Sequence, residues 1–265
     1  MRLKTLAGVL AASALALSAC GSDDGDSGSG SGSGSAEFDT VSSGTLTVCS
    51  DIPYAPFEIE EGGEYTGFDI DLMNEIGKGL GLDVQIKDVG FDGLQSGASL
   101  AAGQCDIGAS AMTITEEREK NIDFSDPYYD SMQTLLVPSG SDIQTIDDLS
   151  GKDVGVQQGT TGKLYAEENA PDDAKLVSFP SDAELYQAIK SGSIDAILQD
   201  LPVNVAHTED GDFQIVEEYD TDEHYGFAVK EEGSEDLLKA VNEQLKELKK
   251  DGTYDKLYNE YFSAK

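Results

Sequence analysis

Val154-Gly155-Val156-Gln157-Gln158-Gly159-Thr160-Thr161 is the stretch from which the fold can be read. A short apolar run from Asp153 to Gln158 reads as a strand, and Gly159-Thr160-Thr161 opens a helical pattern that continues to about Asn169. Strand, tight turn and helix are the repeating unit of an α/β protein. The rhythm extends in both directions. Upstream, Thr45 to Ser50 reads as a strand, and Phe68 to Leu80 places Ile70, Met73, Ile76 and Leu80 at helical spacing with acids early. Val84 to Val89 alternates like a strand, Leu94 to Ala102 reads as a helix and Asp106 to Ala111 as a strand. Thr115 to Asn121 reads as a charged helix capped by Thr115. Downstream come a strand at Leu176 to Phe179, a helix at Ser181 to Ser191 and a strand at Ile194 to Gln199 before a Pro202-containing helix start. Tyr225 to Val229 reads as a strand, Glu235 to Lys250 as an amphipathic helix, and a last short helix follows Asp251-Gly252-Thr253-Tyr254. The expectation is an α/β protein in two halves, the second beginning near Ile143 after an extended stretch from Tyr128 to Pro138.

Composition narrows the function. The chain has 265 residues and a net charge of −35, from 17 Lys+Arg against 52 Asp+Glu. A nucleic-acid binder needs a basic footprint, so nucleic acid is excluded as a partner. With 38% hydrophobic residues the chain can build a core. Three cysteines and two histidines argue against a metal site and against a disulfide framework. Cys49 and Cys105 sit in apolar contexts and read as buried small residues rather than a disulfide. No Gly-x-Ser-x-Gly, His-Glu-x-x-His or P-loop pattern occurs, and no cofactor is expected.

The first residues read as an address. Arg2 and Lys4 precede an apolar run from Leu6 to Leu17, and Leu17-Ser18-Ala19 leads into Cys20. This is the pattern of an export signal over residues 1–19. The last four residues resemble a bacterial lipobox, which implies lipidation at Cys20; ordinary secretion is the other reading. Residues 20–43, Gly-, Ser- and Asp-rich from Gly21 to Ser35, read as a flexible tether. The body is therefore expected at the outer face of the cytoplasmic membrane. Without residues 1–19 the chain keeps 15 cations against 52 carboxylates, a charge of −37. Solubility and adaptation to high salt both account for that.

Four strand ends carry polar residues: Ser50-Asp51, Met112-Thr113, Gln157 to Thr161, and Gln199-Asp200. Ligands of open α/β sheets bind beyond such ends. Beyond residue 19 the chain has 14 lysines and one arginine, Arg118. A lone Arg among lysines points to a place where the planar fork matters, as it does for a carboxylate; membership of the solvated run Glu116 to Lys120 is the alternative. Thr161 at a helix start offers backbone N–H groups to an anion or is a plain cap. Asp200 supplies a carboxylate for an ammonium group or caps the helix at Pro202. Asp51 precedes the stiff turn Pro53-Tyr54-Ala55-Pro56-Phe57, and Phe91 follows a strand. An anion receiver, an ammonium receiver and aromatic walls describe a pocket for a zwitterion.

Several motifs in order resemble family 3 of the extracellular solute-binding proteins, the amino-acid receptors of ABC importers. They are Gly67-Phe68-Asp69-Ile70-Asp71-Leu72 continuing to Ile76, Gly77 and Leu80; Thr113 to Arg118; Ile122 to Tyr129; Val154 to Thr161; Ile194 to Asp200; and Asp251 to Tyr254. Together they span about Gly44 to Phe262. The resemblance implies a two-lobed, periplasmic-binding-protein-like (type II) fold with a two-strand hinge at 128–132 and 220–224. One lobe would hold residues 44–127 plus 225–265, the other 133–219. It implies that Arg118 and the backbone N–H of Thr161 take the ligand carboxylate, and that Asp200, the Thr113 hydroxyl and the Ala111 carbonyl take the ammonium. Tyr54, Phe57 and Phe91 would wall the pocket, while Asp51 and Gln157 would face a polar or cationic side chain. The partners implied are a free amino acid (arginine, lysine, histidine or glutamine) and a permease, with the receptor a monomer. Two rivals stay open: a receptor for a compatible solute such as ectoine, and a dehydratase-type enzyme on the same fold, for which His207 and His224 offer little acid–base chemistry.

Overall fold

The computed structural model describes residues 38–263. The expected export signal, the Cys20 lipidation point and all but the end of the tether lie outside the described residues. The chain begins with β1 (Thr45–Ser50), a hairpin of β2 (Ile59–Glu61) and β3 (Glu64–Thr66), α1 (Phe68–Leu80), β4 (Asp83–Asp88), α2 (Phe91–Gln95), α3 (Ala98–Ala101), β5 (Ile107–Gly108) and β6 (Ile122–Phe124). It continues through β7 (Tyr129–Pro138), β8 (Asp153–Gln157), α4 (Thr161–Asn169), β9 (Lys175–Phe179), α5 (Asp182–Lys190), β10 (Ala196–Asp200), α6 (Leu201–His207) and β11 (Phe213–Tyr225). It ends with β12 (Ala228–Lys230), α7 (Glu235–Asp251) and α8 (Thr253–Phe262).

These elements form two α/β lobes, each around its own five-stranded sheet. The first sheet has the order β4-β1-β5-β12-β6 and the second β11-β7-β10-β8-β9. In the first lobe, α1 buries Phe68, Leu72, Met73 and Ile76, and α7 buries Leu237, Val241 and Leu245, in one apolar cluster with Leu46 and Val48 of β1. The helical spacing seen in the sequence is that buried stripe. In the second lobe both faces of the sheet are covered, one cluster holding Val154, Val156 and Leu198 and the other Leu136, Leu185 and Ile197. The chain leaves the first sheet after β6 and returns to it at β12. The two segments that connect the lobes, β7 and β11, lie antiparallel from Phe213↔Pro138 to Tyr225↔Tyr129.

The structure corrects several sequence expectations. Cys49 and Cys105 form a disulfide, with Cα atoms 5.7 Å apart across a sequence separation of 56. Their apolar surroundings are real, but β5 pairs in parallel with β1 and sets Gly108 opposite Cys49, which carries the preceding Cys105 alongside. The helix expected from Leu94 to Ala102 is broken at Gly97, whose φ is 78°. A Cβ there would stand 2.8 Å from Ile122 Cγ2. The helix expected over Thr115 to Asn121 is one 3-10 turn, Arg118–Lys120, with Thr115 Oγ1 accepting from the Arg118 N–H at 3.2 Å. The strand expected from Tyr225 to Val229 is divided, Tyr225 ending β11 and Ala228 beginning β12.

Replacing Cys49 and Cys105 together by serine is expected to cost about 2–4 kcal/mol of stability through the released loop, read as a lower denaturant midpoint. An unchanged midpoint would show that the β1–β5 pairing fixes this corner without the crosslink.

Candidate functional site

The polar strand ends from both lobes converge on one narrow cavity. Asp51 follows β1, Ala111 and Thr113 follow β5, Gln157 ends β8, Thr161 opens α4 and Asp200 ends β10. Tyr54, Phe91 and Arg118 complete the residues that the sequence had singled out. Phe57 is a correction: it is fully buried behind the site, edge-on to Phe68, Tyr129 and Tyr225. Its place in the stiff turn turns Tyr54 toward the cleft and Phe57 toward the aromatic core.

Arg118 is 5% exposed. Nη1 donates to the Thr113 carbonyl at 2.6 Å and Nη2 to the Gly159 carbonyl at 2.9 Å. One acceptor belongs to each lobe. The guanidinium lies over the Phe91 ring, 5.3 Å from its centroid. Burial lowers its pKa to about 10, opposed by the charges of Asp200 and Glu223, so the cation persists at neutral pH. Among the described residues no carboxylate forms an ion pair with it. Carbonyl dipoles satisfy two N–H groups but leave the charge uncompensated, a costly arrangement that an incoming carboxylate relieves.

Across the cavity stand carboxyl groups. Asp200 accepts from Tyr54 Oη at 2.8 Å, Tyr225 Oη at 2.6 Å and Gln133 Nε2 at 2.5 Å. Burial, followed by the charge of Glu223, pushes its pKa up to about 6 against those donors. Asp51 accepts from Gln157 Nε2 at 2.6 Å. Burial raises Asp51 to about 7; the Gln157 bond works against that shift, and Asp88 and Asp182 add to it. The bonds Tyr54–Asp200, Gln157–Asp51 and Arg118–Gly159 each join one lobe to the other. Thr160 caps α4, its Oγ1 accepting from the Lys163 N–H at 3.1 Å. The next residue, Thr161, therefore sits in the first turn, where N–H groups have no partner inside the helix.

Sequence reasoning missed Glu223 and Gln133. Glu223 accepts from Thr113 Oγ1 at 2.6 Å, Thr161 Oγ1 at 2.8 Å and Gln133 Nε2 at 2.9 Å. A signal was present: Glu223 and Tyr225 are two residues apart on an extended segment and share a face. The loss of that signal came from reading Tyr225 as the start of a new strand.

The family model of the bacterial extracellular solute-binding proteins, family 3, matches residues 46–264. The chain belongs to that family. It is 34% identical over 269 residues to a probable histidine-binding protein of Neisseria gonorrhoeae, covering 98% of this chain and 96% of that one. It is 37% identical over 204 residues to an ABC transporter glutamine-binding protein of Bacillus subtilis, covering 75% of this chain and 73% of the relative. Among solved structures, an ancestral arginine-binding protein bound to arginine superposes with a TM-score of 0.78 at 41% identity, over 83% of this chain and 99% of that one.

Because burial raises Asp51 from 3.8 to about 7, the folded protein holds this proton more tightly than the unfolded chain does. Its contribution favours folding at acid pH and is lost as pH climbs from about 4 to about 7. Asp51→Asn removes the titration. The melting temperature of the variant relative to wild type is expected to rise from about pH 5 to about pH 8 in scanning calorimetry. A difference that stays constant with pH would show that Asp51 does not titrate in that window.

Proposed function

We propose that the protein captures a basic L-amino acid (arginine, lysine or histidine) outside the cytoplasmic membrane and delivers it, as a monomer, to the permease of an ABC importer. The observation that carries this reading is the charge layout of the cavity: one guanidinium without a direct carboxylate partner, Arg118, and two carboxyl groups, Asp200 and Asp51, share the lining, with Glu223 close behind it. A carboxylate and two cations on one small molecule complement that layout. In this reading Arg118 and the Thr161 N–H take the α-carboxylate, while Asp200, the Thr113 hydroxyl and the Ala111 carbonyl take the α-ammonium. Tyr54 and Phe91 wall the side chain, and Asp51 with Gln157 meets its charged end. The relatives named for histidine and arginine support the same choice.

The segments at 128–132 and 220–224 act as the hinge between lobes 44–127 plus 225–265 and 133–219. A ligand gripped from both sides stabilises closure by its differential affinity for the closed form. A glutamine receptor is the second reading, favoured by the amide–carboxyl pair Gln157–Asp51 and by the glutamine-binding relative. Ectoine would call for an aromatic cage, whereas Phe91, one of the two aromatic side chains on the cavity lining, already underlies Arg118. No enzymatic step belongs to this reading: His207 pairs with Asp182 at 2.9 Å and His224 with Asp130 at 2.7 Å, and neither lines the cavity. Among the described residues no helix is long and apolar enough to cross a membrane, and anchoring is assigned to a lipid on Cys20.

Calorimetry with the standard amino acids and ectoine tests the ligand. Arginine, lysine or histidine should bind and aspartate and glutamate should not; glutamine binding alone would establish the second reading, and ectoine alone would overturn both. Arg118→Ala and Asp200→Ala should each weaken binding by about 100-fold or more, the scale for removing one partner of a buried charge pair. Unchanged binding in both variants would defeat the assigned roles. Cys20→Ala should move the protein from the membrane fraction to the soluble fraction of fractionated cells, and retention on the membrane would rule out the lipid anchor.

A further inference from the structure

The motif Gly67-Phe68-Asp69 contains a carboxylate that the binding site does not use directly. Asp69 is fully buried in the first turn of α1. Its Oδ2 accepts from the Ala111 N–H at 2.9 Å and from Tyr128 Oη at 2.7 Å. Ala111 lines the cavity with a φ of 43°, a left-handed conformation that non-glycine residues seldom adopt. Tyr128 begins the segment that leaves the first lobe and stacks on Phe227, ring centroids 4.2 Å apart. One carboxylate oxygen thus ties the cavity wall to the root of the crossover.

The other oxygen, Oδ1, is buried without a donor, as are both oxygens of Glu58, which is also fully buried. Three orphan acceptors in one place require an account. Close backbone packing brings these side chains together. The N–H groups of Phe68 and Asp69 donate to the carbonyls of Pro56 and Phe57 at 3.0 and 3.2 Å. Gly67, with φ 117°, permits that approach, since a Cβ there would fall 2.2 Å from the Phe57 carbonyl oxygen. The Glu58 and Asp69 carboxyl groups lie within hydrogen-bonding reach of each other. The titratable groups facing the pair are Asp51 from the loop after β1, Tyr128 and Tyr254 from α8, and among the described residues no cation forms an ion pair with either acid.

We propose that Glu58 carries a proton that it donates to Asp69 Oδ1, and that Glu58 is thereby a positioning residue: it lets Asp69 stay buried as a carboxylate and hold the Ala111 wall of the cleft in its left-handed conformation. The assignment of the proton follows from the surroundings. Asp69 has two donors and the positive end of α1 to favour its charge, whereas Glu58 has no donor and two carboxyl groups near it, Asp69 and Asp51. One proton between the two acids then satisfies Asp69 Oδ1 and neutralises Glu58. Burial and the neighbouring Asp69 push Glu58 well above the usual carboxylate range, in agreement with the geometry.

The test uses Glu58→Gln, whose amide donates as the acid does, and Glu58→Leu, which fills the space without a donor. Infrared difference spectra in heavy water at about pH 8, above the range of an ordinary carboxylate, should show a protonated-carboxyl band in wild type that Glu58→Gln lacks. Identical spectra would overturn the shared proton. Amide exchange at Ala111 should be unchanged in Glu58→Gln and faster by about tenfold or more in Glu58→Leu, the scale for leaving one buried partner unmet. If Glu58→Gln loosens Ala111 as well, or if neither folded variant does, the positioning role falls. Should Glu58→Leu fail to fold, the infrared band and retained protection in Glu58→Gln still decide. The consequence for binding rests on the ligand reading above: L-arginine affinity should stay within about threefold in Glu58→Gln and fall about tenfold in Glu58→Leu. Absence of arginine binding in wild type would count against that ligand and leave the exchange and infrared results to judge the proton pair.

Discussion

A buried guanidinium shared between two lobes is the constraint around which the cleft is organised. Arg118 donates to the carbonyl of Thr113 on one side and of Gly159 on the other, and its flat face rests on Phe91. A lysine could not replace it, because a single ammonium has neither the plane to stack nor the fork to reach two acceptors at fixed angles. The 3-10 turn that carries it begins five residues beyond Thr113, and the side chain folds back to reach the Thr113 carbonyl. Everything else at the site is arranged about a cation that cannot leave and is not neutralised by a direct partner.

The opposite wall meets a different difficulty, since Asp200 and Glu223 are buried close enough for one charge to raise the pKa of the other. The protein offsets that repulsion with neutral donors. Two tyrosines and Gln133 serve Asp200, and three threonines and the same Gln133 serve Glu223. Hydroxyl and amide donors lower the cost of the charges without cancelling them, and this keeps the wall negative. The Glu58–Asp69 pair behind the site solves the same problem by another route, one proton in place of several donors.

Much of this was legible in the sequence because local chemistry and the sheet agreed. The run Val154 to Thr161 read as strand, turn and helix start and is that, since Thr160 caps α4 with its own side chain. The stripe Ile70, Met73, Ile76 faces the core of the first lobe. What failed were features decided by long-range neighbours. Cys49 and Cys105 looked like core residues until the β1–β5 register placed them side by side. The break at Gly97 depends on Ile122, a strand away. Phe57 and Tyr54 lie in the same stiff turn and equally suggest a pocket wall, but the aromatic core formed with Phe68, Tyr129 and Tyr225 claims one of them. Glu223 enters the site from the returning crossover strand, where no strand-end pattern pointed.

The atoms that join the lobes are the ones that the proposed reading offers to a ligand. Asp200 is reached by Tyr54 and Asp51 by Gln157 across the cleft. A guest that takes its place between them exchanges interlobe hydrogen bonds for its own, and only the difference can favour closure. An uncharged guest would trade one neutral donor for another at little gain. An ammonium or guanidinium replaces a phenol or an amide with a charged donor, and charge-assisted bonds are about twice as strong as neutral ones. On the proposed reading, the two acidic positions on the lining, Asp51 and Asp200, opposite a single fixed cation, would make the positive charges of a basic zwitterion the source of the energy that shuts the cleft.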